Sequence, residues 1–255
     1  SYLDLTINPD FGQVEMDPEY INLSYYEIYL PEKRTFFNES RSIFELPIEV
    51  FYSRRIGSDN ESLDNKINYA LKYIGSSESG WNFGSIAAET SGQNKTKKYF
   101  INRISKDIFN GNSIIGFLAT NMFDGNQNYS SASFDNIVYF SNNLIFDYQY
   151  VRSMNDEING NAHNLNFEFD SPYPLMFLFD MESYDKNFDI NKVGYNERND
   201  IKKYKVSVGF KDTAPRLDFL RKFRWDLAYR YSENFENINL SDVYSLIGKY
   251  YLKNY

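Results

Sequence analysis

From Phe223 to Tyr231 every second residue is large and apolar: Phe223, Trp225, Leu227, Tyr229 and Tyr231, set against Arg224, Asp226, Ala228 and Arg230. Successive side chains of an extended strand point to opposite faces, so this run reads as a strand with one apolar and one polar side. The pattern recurs. Ile67, Tyr69, Leu71 and Tyr73 alternate with Lys66, Asn68 and Lys72, and Tyr204, Val206, Val208 and Phe210 alternate with Lys205, Ser207 and Lys211. Leu144, Phe146, Tyr148 and Tyr150 alternate with Asp147 and Gln149, and Leu165, Phe167 and Phe169 alternate with Asn166 and Glu168. Between the runs lie Gly57-Ser58-Asp59-Asn60, Gly92-Gln93-Asn94-Lys95, Asp124-Gly125-Asn126-Gln127-Asn128 and Asn159-Gly160-Asn161, which is turn and loop chemistry. The most helix-like piece, Leu240 to Leu252, also reads as a strand. The reading is an all-β antiparallel meander of about ten to twelve strands, each of about 8–11 residues.

Composition removes several function classes. The chain has no cysteine and one histidine, His163, so disulfides, thiolate catalysis, Cys-based metal sites and any scheme needing two imidazoles are excluded. Its 35 Asp+Glu outnumber 27 Lys+Arg, for a net charge of -8, a poor surface for phosphate backbones. No apolar run approaches the roughly 20 residues of a spanning helix. The chain opens at Ser1-Tyr2-Leu3 without the pattern of a secretory leader and reads as a mature chain or a fragment.

The remaining alternatives are a soluble β-sandwich or barrel, with the apolar face inward, and an outer-membrane-type barrel, with that face toward lipid and the charges toward a lumen. Alternation alone suits both. Three features point to the membrane barrel. Long charged residues (Lys72, Arg224, Asp226, Arg230) stand mid-strand. The apolar face is rich in Tyr and Phe, of which the chain holds 23 and 22, and such rings suit a surface that is apolar in body and wet at the tip. The expected strand length matches the ~9–11 residues that cross a bilayer at a tilt. Tyr69, Tyr73, Trp81, Tyr148, Tyr150, Trp225, Tyr229 and Tyr231 are the candidate membrane-interface aromatics.

Residues 1–57 differ from the rest. They contain Asn8-Pro9-Asp10-Phe11, Gln13-Val14-Glu15, Asp17, Pro31-Glu32-Lys33-Arg34, Phe36-Phe37, Glu39 and Phe51-Tyr52-Ser53-Arg54-Arg55-Ile56-Gly57. This string resembles a bacterial envelope family called domain of unknown function 5916, whose members often follow a family-9-like carbohydrate-binding module. Where the family has a glycine after its Phe-Phe motif, this chain has Ser40. Fainter echoes run through Tyr99 to Gly116 and from Val208 to Leu217. The resemblance implies an outer-membrane β-barrel of unestablished biochemical role. Family barrels are longer, so it also implies a truncated, incomplete or compact form. The expected organisation is a single structural unit, with 1–57 partly lumenal and 58–255 forming barrel strands.

Asp10, Glu15 and Asp17 could supply oxygen ligands to a cation such as Ca²⁺, although their spacing matches no EF-hand and a solvated turn explains them as well. Glu27, Glu32, Lys33, Arg34, Glu39, Arg54 and Arg55 form a second cluster. Facing lipid, each charge would cost several kcal/mol, so the cluster is expected in a lumen or plug, its carboxylates paired with Arg54 and Arg55 on the barrel wall. Such a network either narrows the pore or only holds the interior together. No carboxylate pair is singled out for hydrolysis, and no G-x-S-x-G elbow is present.

The expectation is therefore a non-enzymatic barrel of a bacterial cell outer membrane, a channel, uptake component or envelope-assembly scaffold, without a cofactor. Its partners would be the lipid bilayer, other envelope proteins or further strands completing the barrel, and glycans, but no nucleic acid. The alternative is a soluble, secreted, β-rich glycan-binding module.

Overall fold

The computed structural model describes residues 1–9, 23–57, 66–92, 95–155, 158–171, 174–217 and 219–253. Twelve strands form one antiparallel sheet in sequence order: β1 (Tyr2–Ile7), β2 (Lys66–Ser76), β3 (Trp81–Gly92), β4 (Lys95–Ile108), β5 (Ser113–Asp124), β6 (Gln127–Ser141), β7 (Leu144–Asn155), β8 (Asn159–Asp170), β9 (Leu175–Tyr184), β10 (Ile201–Asp212), β11 (Leu220–Glu233) and β12 (Asn239–Leu252). The meander follows from the sequence. Each alternating run is long enough for a strand, and the polar clusters at Gly92–Lys95 and Asp124–Asn128 leave room only for a hairpin. Leu240 to Leu252 is a strand. Among the described residues no pairing joins β1 to β12, so the sheet has two free edges.

The two faces are chemically opposite. The outer face carries Tyr69, Leu71, Tyr73, Trp81, Phe83, Phe100, Phe117, Phe134, Phe177, Phe210, Trp225 and Leu227, all exposed, with Phe117 at 45% and Trp225 at 38%. The inner face carries Lys72, Arg103, Asp135 and Gln149, and further along Asp180, Glu182, Lys203, Lys205, Arg224 and Arg230.

The connection from β1 to β2 holds residues 23–57, which fold over the inner face of β2–β8. Within it lie a short helix, α1 (Thr35–Asn38), and two 3-10 turns, Arg41–Ile43 and Ser53–Arg55. The β9–β10 connection, residues 185–200, leaves the same end of the sheet and joins it. Phe36, Phe37, Phe44, Ile48, Val50, Phe51 and Ile56 pack with Phe188, Ile190 and Val193 onto Ala70, Ile86, Ala88, Tyr99, Ile101, Leu118, Val151 and Ala162. Each fully buried Phe, Ile or Val contributes about 1.5–3 kcal/mol. The core thus lies between the sheet and this cover, not within the sheet's aromatic face.

Two local departures from the sequence pattern have physical causes. A β-bulge between Ile67 and Tyr69 lets two residues of β2 oppose one of β3. Ile67 therefore turns inward and is buried, while Tyr69 stays outside, although strict alternation puts them on one face. Asn159-Gly160-Asn161 is not a turn but the start of β8, and His163 stands on that strand, where its Nδ1 lies 3.1 Å from the Tyr148 hydroxyl. Gly160 is required there by contact, not by turning. A Cβ at this position would lie 2.3 Å from the backbone nitrogen of Phe188.

Candidate functional site

The cover is the part of the molecule with built polar geometry. Pro31-Glu32-Lys33-Arg34 runs extended into α1, and Glu32 is buried beneath it. Its Oε1 accepts from the backbone N–H groups of Lys33 (3.0 Å) and Arg34 (2.8 Å) and from Arg34 Nε (2.9 Å). Its Oε2 accepts from Arg34 Nη2 (2.7 Å) and Ser53 Oγ (2.6 Å). The same guanidinium donates to the carbonyls of Ile56 (2.6 Å) and Ser53 (2.8 Å) and lies 4.4 Å over the Phe37 ring. Burial pushes the Glu32 carboxyl up, but Arg34's hydrogen bonds and charge, with Ser53, outweigh burial and hold it below the usual carboxylate range.

Arg54 and Arg55 stand on the 3-10 turn inside this cover rather than on a wall strand. Arg55 meets Glu27 in a two-pronged pair (2.8 and 2.6 Å) and donates through Nε to the Gly194 carbonyl at 3.0 Å. Arg54 donates to the Pro31 carbonyl at 3.0 and 2.6 Å. Lys33 is half-buried, and its backbone N–H helps hold Glu32. Glu39 is exposed and enters the network through its carbonyl, which accepts from Lys72 Nζ at 3.2 Å. Among the described residues the sequence cluster forms two ion pairs, Glu32–Arg34 and Glu27–Arg55, and Lys33, Glu39 and Arg54 are engaged as well. Asp10, Glu15 and Asp17 lie outside the described residues.

The sequence marked Lys72 only as a mid-strand charge, and it did not single out the tyrosine cluster, Glu49 or the Arg103–Asp135 pair. Lys72, buried at 1% exposure, also donates to the Phe36 carbonyl, so a wall lysine holds the last turn of α1, where helix carbonyls lack partners. Tyr29, Tyr52 and Tyr195 form a ring cluster with centroids 5.0–5.6 Å apart, joining the two connections. Glu49 accepts from Tyr29 at 3.1 Å. Burial raises its carboxyl, and Tyr29 and Arg41 offset this only in part. Arg103 on β4 pairs two-pronged with Asp135 on β6, Nη2 to Oδ2 at 2.7 Å, beneath a cavity of about 560 Å³ whose lining includes Ser42, Glu45, Asn82 and Ser105. Gly116 makes room for the pair, since a Cβ there would lie 2.3 Å from the guanidinium. The predicted interface aromatics Tyr69, Tyr73, Trp81 and Trp225 are exposed on the outer face, and Tyr148, Tyr150, Tyr229 and Tyr231 stand on the same face, half-buried.

Residues 2–82 match the model of a family described as Domain of unknown function (DUF5916). The chain carries a DUF5916 segment. The matched residues span β1, the cover residues 23–57, β2 and the first two residues of β3, so the DUF5916 segment is the cover together with the strands that frame it. Neither a curated protein nor a solved structure matches the chain. In the DUF5916 segment Ser40 occupies a left-handed backbone conformation (φ 55°, ψ 26°). That conformation costs an L-residue roughly 1–2 kcal/mol and glycine almost nothing. Serine makes this turn, and its Oγ accepts from the Tyr2 hydroxyl at 2.8 Å.

Proposed function

We propose that this chain forms an outer-membrane-type β-barrel, or a large part of one, in a bacterial envelope, and that it passes or binds solutes rather than breaking bonds. The observation that carries this reading is the outer face: a nearly continuous row of exposed aromatic and aliphatic side chains across twelve strands, its charges (Glu89, Lys98, Lys106 and Arg152 among them) set toward strand ends, opposite an inner face with charges at mid-strand. Soluble monomers rarely expose apolar patches beyond a few hundred Å². Strands of 10–15 residues, as β2–β12 are, also suit a tilted bilayer crossing. In lipid the free edges of β1 and β12 must be paired, either with each other or with further strands of envelope partners. Residues 23–57 and 185–200 then form a plug, and the Glu27–Arg55 and Glu32–Arg34 pairs fix its shape and narrow the lumen.

The test is reconstitution into phosphatidylcholine vesicles. The barrel migrates differently on gels before and after heating, and brominated acyl chains quench the outward Trp81 and Trp225. A protein that stays monodisperse without detergent and whose tryptophans remain unquenched is instead a soluble module of the glycan-binding kind, and the membrane reading then falls.

A further inference from the structure

The inner wall of β9–β12 lies beyond the plug and has an unusual charge register. Between β9 and β10 the rungs are complementary: Lys203 faces Glu182 (3.0 Å) and Lys205 faces Asp180 (2.9 Å). Between β10 and β11 they are not. Lys205 is directly opposite Arg230, and Lys211 is directly opposite Arg224. Between β11 and β12, Arg224 is directly opposite Lys249. Directly opposed residues hold their Cβ atoms about 4.5–5.5 Å apart, and like charges there repel.

Three of these cations have carboxylates: Lys205 has Asp180, Lys211 has Asp170, and Arg224 has Asp226 at 2.7 Å. The other two do not. Among the described residues Arg230 donates to Ser245 Oγ at 3.3 Å and meets no carboxylate, and Lys249 has no carboxylate partner. Both are exposed. A groove of about 180 Å³, the liquid volume of roughly six waters, is lined by Lys205, Arg224, Arg230 and Lys249 against two carboxylates, Glu168 and Asp226. In a chain of net charge -8, this cationic strip runs against the overall balance. A pure strand-pairing role would favour the complementary rungs seen one strand earlier. Repulsion across three rungs is relieved by an anion seated between them.

We propose that the inner face of β10–β12 is a binding lane for a small solute bearing oxyanion groups, carboxylate or phosphate. The lane rests on the reading that this face is lumenal and wet, and it names the class of solute that the lumen takes.

The experiment uses the full chain in detergent micelles, titrated calorimetrically with citrate and, separately, with pyrophosphate. Saturable binding of at least one probe is expected, weakening as sodium chloride is raised. Arg230→Glu with Lys249→Glu should weaken it at least tenfold, while Arg230→Lys with Lys249→Arg should retain it. Preference for one probe assigns the group. Absence of saturable binding, or binding unchanged by the double reversal, overturns the lane. Should the reversal variant misfold, Arg230→Gln alone gives the same comparison with one charge removed. The gel shift on heating is read on the same samples. A normal shift without binding removes the lane and leaves the barrel, whereas binding without a shift removes the barrel reading and leaves the anion site.

Discussion

The side-chain amide of Gln149 on β7 clamps the backbone of Ile48 in the cover at both ends. Its Oε1 accepts from the Ile48 N–H at 2.6 Å, and its Nε2 donates to the Ile48 carbonyl at 3.1 Å and to Ser133 Oγ at 2.9 Å. Gln149 is fully buried, so no water replaces it. Gln149→Leu leaves the buried Ile48 N–H unpaired, at about 1–3 kcal/mol, while the Ile48 carbonyl keeps the Val50 N–H at 2.9 Å. The expected result is faster hydrogen exchange at Ile48 and Val50 and earlier proteolysis within residues 23–57. The strands should keep their protection, and unchanged exchange at Ile48 would remove the clamp from the account.

Gly160 and Phe188 give the second prediction. With the Phe188 backbone so close, Gly160→Ala forces residues 185–200 away from β8, and no rotamer relieves a clash with main chain. A cost of about 1–3 kcal/mol is expected, and thermal unfolding followed by near-UV circular dichroism should show it. Gly111 has open space about its missing Cβ but a φ of 87°, so alanine there should show only the smaller cost of a left-handed residue.

Acid should act on the cover in two opposing steps. Glu49's carboxyl is raised in the folded state, so its ionisation works against folding, and lowering the pH toward the ordinary carboxylate value of 4.5 relieves this. Glu32's carboxyl is lowered, so its contribution is complete above the ordinary value and is lost as pH falls through its folded value. Protection of the cover against protease should therefore rise slightly as pH drops toward 5 and fall below about 4. Glu49→Gln should flatten the first limb and Glu32→Gln the second. A single monotonic loss in the wild-type chain would contradict the assignment.

The outer face makes a sharp test of environment. Phe117, outward and mid-strand, becomes a buried charge in lipid as Phe117→Arg, at about 2–4 kcal/mol near the bilayer midplane. Asn164→Arg on the inner face should be tolerated. The measurement is the fraction folded into vesicles, read by the gel shift. In water Phe117→Arg would instead be neutral or improve solubility.

Arg55→Glu sets a carboxylate against Glu27 and abandons the Gly194 carbonyl, loosening residues 23–30 from the β9–β10 connection. Single-channel recordings should show a larger or noisier conductance than wild type. Identical conductance with intact folding would leave these pairs a purely stabilising role.

The alternation in Phe223 to Tyr231 and Tyr204 to Lys211 already separated the two faces, because face assignment in an extended chain depends only on residue parity. It also placed Gln149 and Lys72 on the polar side. What it could not supply was their partners. Ile48 lies 101 residues from Gln149, and Phe36 lies 36 from Lys72. The ion-pair cluster was legible as a group of charges, but its pairing was not: Arg34 folds back on Glu32 two residues away, and Arg55 reaches Glu27 rather than a wall.

By itself the amino-acid order determined the strands, their parity and the chemical opposition of the two faces, since these are local consequences of backbone geometry. Only the tertiary structure decided that Ile67 turns inward at a bulge, that Gly160 is a strand residue bearing another backbone, and that cations face each other across β10–β12. Each of these depends on register and contact between segments distant in the chain, which no local period encodes.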